Sequence, residues 1–215
     1  MIQTIDFAPL DGITKVVFRQ VWSRYFGGVD RYFIPFFSPT PHHTMTPRDL
    51  REVDFAHNAS LPSVPQVMTK NADDFLWACE VLRDMGYTEV NLNLGCPSGT
   101  VTAKGKGSGF LAHPEELAAF FDAVFARNPL PVSVKTRLGY ETPEEFRTLL
   151  EIYNRYPIAC PSTRGYGRKS TVARFIWAPS PMRWPPAATQ CATMATCGRW
   201  KKSAHWKAAS PPFPM

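Results

Sequence analysis

Short apolar runs alternate with amphipathic stretches over the first 160 residues. Five runs rich in β-branched and aromatic residues predict strands, at residues 5–10, 31–37, 64–68, 89–94 and 132–135. Five stretches with apolar residues at helical spacing predict helices, at residues 14–25, 47–55, 72–85, 114–127 and 143–156. This alternation favours a parallel sheet with right-handed crossovers.

The spacing of these five strand–helix units is typical of a (β/α)8 barrel of the TIM type. Such barrels usually contain about 250 residues, so five units over residues 1–160 make up only part of one. We therefore expect an α/β fold of the TIM-barrel type that is truncated after about five βα units.

Residues 161–215 do not continue the pattern. They contain no leucine, one valine and one isoleucine, but four of the six tryptophans and eight prolines. We therefore predict two parts, a partial barrel domain over residues 1–160 and a poorly ordered basic tail over residues 161–215. One interpretation of the tail is a disordered segment that binds RNA.

The net charge of +6 comes from this tail. All 18 acidic residues lie at or before Glu151, and residues 1–160 hold 15 lysines and arginines, so that part has a net charge of −3. The tail carries the other nine basic residues. Basic proteins often bind nucleic acid, but charge alone does not indicate RNA binding by the part that is expected to fold.

A shift of reading frame explains the tail more fully. Permitted codons for residues 161–166, read one base earlier, can encode a peptide that contains Ile-His-Pro-Arg-Val. The same offset applied to residues 192–199 can give Cys-Tyr-Asn-Gly-Asp-Val-Trp-Thr. Because one offset yields two peptides with a strand followed by a turn, we favour a tail that is translated out of frame.

Cysteine usage and hydropathy indicate the compartment. Five cysteines without regular spacing favour a reducing cytoplasm over a disulfide framework. The first residues lack the features of a signal peptide, and no apolar run is long enough to cross a bilayer. We expect a cytoplasmic protein without a membrane partner. Cys191, Cys197 and His205 are too few and too loosely spaced for a closed zinc site, so no metal is predicted.

The candidate chemistry centres on residues 91–98. A predicted strand runs into Gly95, Cys96 and Pro97, which places a thiol at the carboxyl end of a strand, where barrel enzymes keep their active sites. Glycine permits a sharp turn, and proline cannot continue the hydrogen-bonded ladder. A buried structural cysteine is an equally open interpretation.

Three polar residues interrupt predicted strands. Lys135 ends the apolar strand at residues 132–135, where an unpartnered ammonium would be unfavourable, and this favours a function over a lysine that extends to solvent. Gln66 and Asn93 place amides on the third and fourth strands, either as ligand contacts or as core residues bonded to the backbone.

Three cations follow predicted strands. Arg137 could bind a phosphate, either of a cofactor or of RNA, or could form a surface ion pair. Lys104 and Lys106 lie in a glycine-rich loop before a predicted helix, which suits an RNA phosphate as well as a solvated loop.

Five segments together resemble the tRNA-dihydrouridine synthases, a family of FMN-dependent barrel enzymes. They are residues 8–14, 64–68, 91–98, 105–109 and 132–139. The glycine loop alone is weak evidence, whereas the segment at residues 91–98 followed by that at 132–139 is strong. The resemblance covers residues 1 to about 160, and the peptides recovered from the shifted frame look like the family's next two motifs.

The resemblance implies reduction of uridine to 5,6-dihydrouridine in tRNA, with hydride from reduced FMN and NADPH as the reductant. It implies that Cys96 donates the proton, since a free thiol is mostly protonated at neutral pH. It also implies flavin contacts from Pro9, Leu10, Asp11, Gln66, Asn93 and Lys135. With tRNA as the substrate, the candidate RNA contacts are Lys104, Lys106 and Arg137.

Two alternatives stay open. The chain could be another FMN barrel that acts on free pyrimidines, or a non-catalytic RNA-binding fragment. Because an incomplete barrel exposes sheet edges and apolar faces, we also expect weak flavin binding and impaired activity.

Overall fold

The computed structural model describes the backbone of residues 5–163 and 193–195 and the side chains of residues 5–158. The strands in this part of the chain are β1 (Ile5–Phe7), β2 (Arg31–Phe33), β3 (Ser63–Val64), β4 (Gln66–Val67), β5 (Val90–Leu94), β6 (Val132–Thr136), β7 (Ala159–Thr163) and β8 (Thr193–Ala195). The helices are α1 (Val16–Tyr25), α2 (Pro47–Val53), α3 (Phe55–Asn58), α4 (Ala72–Asp84), α5 (Gly99–Thr102), α6 (Pro114–Phe125) and α7 (Phe146–Tyr153). Two 3₁₀ helices lie at Gly107–Ala112 and Pro143–Glu145.

The strands form two parallel four-stranded sheets, with the orders β3-β2-β1-β8 and β4-β5-β6-β7. Only Pro65 separates β3 from β4, so one extended segment belongs to both sheets. The Val64 carbonyl accepts the N–H of Ile34 at 2.9 Å, and the Pro65 carbonyl accepts the N–H of Asn91 at 2.9 Å. The chain thus changes its pairing partner from β2 to β5 at a residue that has no N–H of its own.

The predicted α/β class with parallel strands is confirmed. Among the described residues the strands form two sheets and do not form a closed barrel. All five predicted strands and all five predicted helices have counterparts; most of these are shorter than predicted, whereas β6 is one residue longer. Pro35 ends the second strand early, and Asp54 ends α2 and caps α3 by accepting the N–H of Ala56 at 3.0 Å.

Strands β7 and β8 lie where the sequence predicts no element. Strand β7 runs across the predicted boundary at residue 160, and β8 lies within the tail. Strand β7 pairs in parallel with β6, and β8 pairs in parallel with β1. These two strands therefore depend on pairing with distant strands and have no alternating apolar pattern that would predict them. The rest of the tail lies outside the described residues, and the division into two parts stays a prediction.

The main core lies on one face of the sheet formed by β4 to β7, against α4, α6 and α7. Val90, Leu92 and Leu94 of β5 are fully buried in it. Since side chains alternate along a strand, Asn91 and Asn93 lie on the opposite face, which we call the inner face.

Across residues 5–163 and 193–195, every helix is too short or too polar to traverse a lipid bilayer.

Candidate active site

Four buried side chains form a continuous hydrogen-bonded chain across the inner face of β4, β5 and β6. The Asn91 amide donates to Ser133 Oγ at 2.9 Å and accepts from Gln66 Nε2 at 2.7 Å. The Gln66 carbonyl oxygen accepts from Asn93 Nδ2 at 2.7 Å. Strand register brings these residues together, because Asn91 lies opposite both Gln66 and Ser133. These hydrogen bonds fix the orientation of the amides and compensate the free-energy cost of burying them.

The chain of amides ends on the turn that carries Cys96. Asn93 Oδ1 accepts the backbone N–H groups of Gly95 at 3.0 Å and of Cys96 at 2.9 Å. Asn93 is 2% exposed, whereas Cys96 is only half-buried. The thiol is therefore held at the carboxyl end of β5 by a side chain from the same strand.

The glycine-rich loop packs directly on this turn. The Cys96 carbonyl accepts both the backbone N–H and the hydroxyl of Ser108, each at 3.0 Å. Gly107 has a φ of +57°, and a Cβ atom placed on it would lie 2.8 Å from the Cys96 carbonyl oxygen. Only glycine fits both the backbone conformation and the close approach. The loop is thereby fixed against the cysteine.

Two cations converge on Gly95. Lys135 lies opposite Asn93 in the register of β5 and β6, and a Cβ atom on Gly95 would lie 3.2 Å from Lys135 Nζ. Arg137 Nε donates to the Gly95 carbonyl at 2.7 Å. Arg137 is only 5% exposed, which does not match the surface ion pair considered from the sequence. Positive charge beside the turn favours any negative charge that forms there.

The loop after β1 is held by a separate set of contacts. Thr14 Oγ1 accepts the Leu10 N–H at 2.8 Å and donates to the Leu10 carbonyl at 3.2 Å. Asp11 pairs with Arg48 at 2.7 Å. The buried Arg19 donates to the Thr14 carbonyl at 2.8 Å and pairs with Glu52. Burial lowers the pKa of Arg19, and the nearby Glu52 carboxylate opposes that shift.

The structure brings together Gln66, Asn93, Cys96 and Lys135, with Arg137 beside them. Pro9, Leu10 and Asp11 lie at the end of β1 in the other sheet, with the Leu10 backbone groups satisfied by Thr14. Lys104 is exposed and Lys106 half-buried in the loop that packs on Cys96. The roles of all these residues stay predictions.

Sequence reasoning gave no role to Asn91, Ser133 or Ser108. Asn91 and Ser133 each lie two residues before a predicted site residue on the same strand, so their side chains lie on the same face. This spacing of two residues could have identified Asn91 and Ser133 from the sequence. The contact of Ser108 with the Cys96 carbonyl has no counterpart in the local sequence pattern.

Within residues 5–158, no group of three histidine, cysteine or carboxylate side chains could hold a metal ion. Cys191, Cys197 and His205 lie outside the described residues.

Comparison with known proteins identifies the family of residues 6–157. The family described as "Dihydrouridine synthase (Dus)" matches residues 6–157. A protein of Staphylococcus epidermidis named "Probable tRNA-dihydrouridine synthase" is 35% identical over 145 residues, which are 67% of this chain and 44% of that protein.

Two further relatives carry similar names. A "Probable tRNA-dihydrouridine synthase" of Staphylococcus aureus is 33% identical over 150 residues, which are 67% of this chain and 44% of that protein. "Probable tRNA-dihydrouridine synthase 1" of Synechocystis is 33% identical over 137 residues, which are 64% of this chain and 38% of that protein. The chain thus spans less than half the length of these relatives, and over that span it belongs to the dihydrouridine synthase family.

Proposed function

We propose that the site around Cys96 reduces uridine to 5,6-dihydrouridine in tRNA. The observation that carries this proposal is the placement of a half-buried thiol beside two cations, on a turn fixed by Asn93. The names of the relatives support tRNA as the substrate class.

The inner face suits the ring end of FMN. Gln66 Nε2 and Gln66 Oε1 each have one hydrogen-bond partner among the described side chains, which leaves a second N–H and a second lone pair for a ring heteroatom. Gln66, Asn93 and Lys135 would hold the flavin ring, with backbone contacts from Pro9, Leu10 and Asp11. Reduced FMN, when bound, supplies the hydride that adds to one carbon of the uracil C5–C6 double bond, and NADPH restores it.

Cys96 supplies the proton for the other carbon. Its S–H bond breaks as the new C–H bond forms, which leaves a thiolate that takes a proton from solvent afterwards. The turn geometry orients the thiol, since both N–H groups of the turn bond to one amide oxygen. The positive charges of Lys135 and Arg137 near Gly95 favour the transient thiolate.

The RNA would approach over the glycine-rich loop. Lys104 and Lys106 on that loop, and Arg137 beneath the turn, are the proposed phosphate contacts. Arg137 is buried, so its contact requires that the RNA or the turn move. Because the described strands form open sheets, we propose that flavin binding and activity are weak in this chain.

Cys96→Ala is the direct test, with Cys79→Ala as the matched control. Cys79 is fully buried and lies on α4, on the core side of the sheet. Each variant is mixed with FMN, NADPH and unmodified tRNA, and the gain of two hydrogens per uridine is measured by nucleoside mass spectrometry. FMN binding is followed in parallel by flavin fluorescence.

We expect Cys96→Ala to retain flavin binding and to lose most of the reduction, while Cys79→Ala retains both. If Cys96→Ala reduces tRNA at the rate of the unsubstituted protein, Cys96 is not the proton donor. Reduction of free uracil but not of tRNA would favour the pyrimidine dehydrogenase alternative. Binding of tRNA without any reduction would favour the non-catalytic RNA-binding alternative.

A further inference from the structure

A third lysine joins the two on the glycine-rich loop. Lys70 follows β4 and precedes Asn71, the N-cap of α4, and its side chain is exposed. A Cβ atom placed on Gly105 would lie 3.2 Å from Lys70 Nζ. The ammonium therefore lies against the residue between Lys104 and Lys106. We call Lys70, Lys104 and Lys106 the lysine cluster.

The carboxylates nearest to Lys70 along the chain have other partners. Asp73 pairs with Arg127 at 2.8 Å. Asp74 accepts from Thr69 Oγ1 at 3.2 Å and lies 3.4 Å from His43 Nε2. The ion pairs found among the side chains of residues 5–158 include no member of the lysine cluster. Among the side chains of residues 5–158 the cluster thus has no partner in an ion pair, and an anion bound there would relieve the repulsion between its charges.

The cluster has a fixed position relative to the candidate active site. Ser108 bonds to the Cys96 carbonyl through both its N–H and its hydroxyl, and the Lys106 N–H donates to the Val101 carbonyl at 3.2 Å. Gly105 has a φ of +65°, a conformation that suits glycine. The loop is therefore held on the cysteine turn, and the lysines lie at the rim of that turn rather than on a remote surface.

We propose that Lys70 binds a backbone phosphate of the RNA substrate together with Lys104 and Lys106. This inference rests on the proposed function, because it takes RNA as the partner, and it adds a contact from a different strand–helix connection. A phosphodiester backbone presents several regularly spaced negative charges, which matches a cluster of separate ammonium groups better than a single anion does.

The test compares Lys70→Gln with Arg83→Gln in the full chain. Arg83 is also exposed and lies in the last turn of α4, about 20 Å from Lys70 at 1.5 Å per residue. Both changes remove one positive charge, so a difference between them reports position and not net charge. Binding of unmodified tRNA is measured by fluorescence anisotropy over a series of KCl concentrations. Lys70→Arg restores the charge, and circular dichroism confirms folding.

We expect Lys70→Gln to reduce the slope of log affinity against log salt by about 0.7–0.9, the value for one lost phosphate contact. Arg83→Gln and Lys70→Arg should show the same slope as the unsubstituted protein. An unchanged slope for Lys70→Gln would overturn the role of Lys70 and leave the proposed function intact. If the unsubstituted protein does not bind tRNA at all, both the role of Lys70 and the proposed function are wrong. Equally tight binding of a polyglutamate peptide would assign the cluster to an acidic protein instead of RNA.

Discussion

The side-chain oxygen of Asn93 accepts the backbone N–H of Cys96 at 2.9 Å, three residues along the chain. The same side chain donates to Gln66 on the neighbouring strand at 2.7 Å. One buried amide therefore sets both the position of the thiol and the orientation of the proposed flavin-binding glutamine. Changes at Asn93 should affect the turn even when no substrate is present.

Asn93→Ala should destabilise the protein. It leaves the Gly95 and Cys96 N–H groups and the Gln66 carbonyl oxygen without these partners. We expect the free energy of unfolding to fall by about 1–3 kcal/mol for each buried group that stays unpaired. Urea unfolding measures this change. The exposed Asn154 provides a control, because Asn154→Ala should change stability by less than about 0.5 kcal/mol. Equal effects of the two substitutions would contradict the organising role of Asn93.

Alkylation should distinguish Cys79 from Cys96, the two cysteines whose side chains the structure describes. Burial raises the pKa of the Cys79 thiol to about 12, so Cys79 is protonated as well as inaccessible near neutral pH. Cys96 is half-buried at the end of a strand. Iodoacetamide at pH near 8 should modify Cys96 first in the folded chain and both residues in denaturant. Peptide mass spectrometry resolves the sites, and early labelling of Cys79 would show that α4 is not packed as described.

Stability should fall at alkaline pH. Burial raises the pKa of the Cys79 thiol from 9.0 to about 12 and raises the pKa of the Tyr87 and Tyr153 hydroxyls. The unfolded chain therefore loses these protons at lower pH than the folded chain does. Since the unfolded state then binds fewer protons, the free energy of unfolding decreases with rising pH. For Cys79 the decrease begins near pH 9.0 and continues to about 12.

Urea unfolding of Tyr87→Phe across this range tests the assignment. The substitution removes a titrating group together with its 2.9 Å hydrogen bond to the Val53 carbonyl. We expect lower stability at neutral pH but a shallower decline above pH 9–10. Tyr25 is 68% exposed and is the control, because Tyr25→Phe should leave the decline unchanged. A decline that is the same in both variants would exclude Tyr87 as a cause.

Substitutions of Gly28 and Gly107 should distinguish the free-energy cost of backbone strain from that of steric contact. Gly107 and Gly28 have φ values of +57° and +71°, but only a Cβ atom on Gly107 meets other atoms, among them Cys96 Cβ at 3.0 Å. Gly28→Ala should therefore cost about 1–2 kcal/mol from the left-handed backbone alone. Gly107→Ala should cost clearly more and should also change the alkylation rate of Cys96. Similar stability of the two variants in urea would show that the loop does not pack against Cys96.

DNA sequencing tests the shifted-frame hypothesis for residues 161–215. Strand β7 overlaps the first segment from which the offset recovers a family-like peptide, and β8 lies within the second. The codons for residues 158–162 are read again. An added or missing base there that is absent from the fresh read would make the tail an artefact, and the gene would then encode a complete synthase. The same shift in the fresh read would mean that the gene itself encodes this tail and that the chain is an inactive fragment.

Much of the fold follows from local patterns. Thr46 and Asp49 form a capping box at the start of α2, with Pro47 as the first helical residue, and Asn71 caps α4 by accepting the N–H groups of Asp73 and Asp74. Such signals depend only on residues within one turn, so they can be found in the sequence. The alternation of apolar and polar residues likewise predicts which face of β5 enters the core.

Contacts between distant segments could not be predicted in this way. The bond between Gln66 and Asn91 joins residues 25 positions apart, and its existence depends on the register of β4 against β5. A shift of two residues would keep every side chain on its face but would separate Gln66 from Asn91, and no local pattern excludes that shift. The approach of Lys70 to Gly105 depends in the same way on how two connections fold over the end of the sheet.

The sequence by itself determined the alternation of strands and helices, the cysteine turn between glycine and proline, and the resemblance that names the family. Each of these depends on residue type and short-range spacing, which the chain carries in any conformation. The tertiary structure alone decided that Asn93 holds Cys96 in place while bonding to Gln66, and that β7 and β8 pair with β6 and β1. Those contacts exist only after strand register and loop packing have brought distant donors and acceptors within hydrogen-bonding distance.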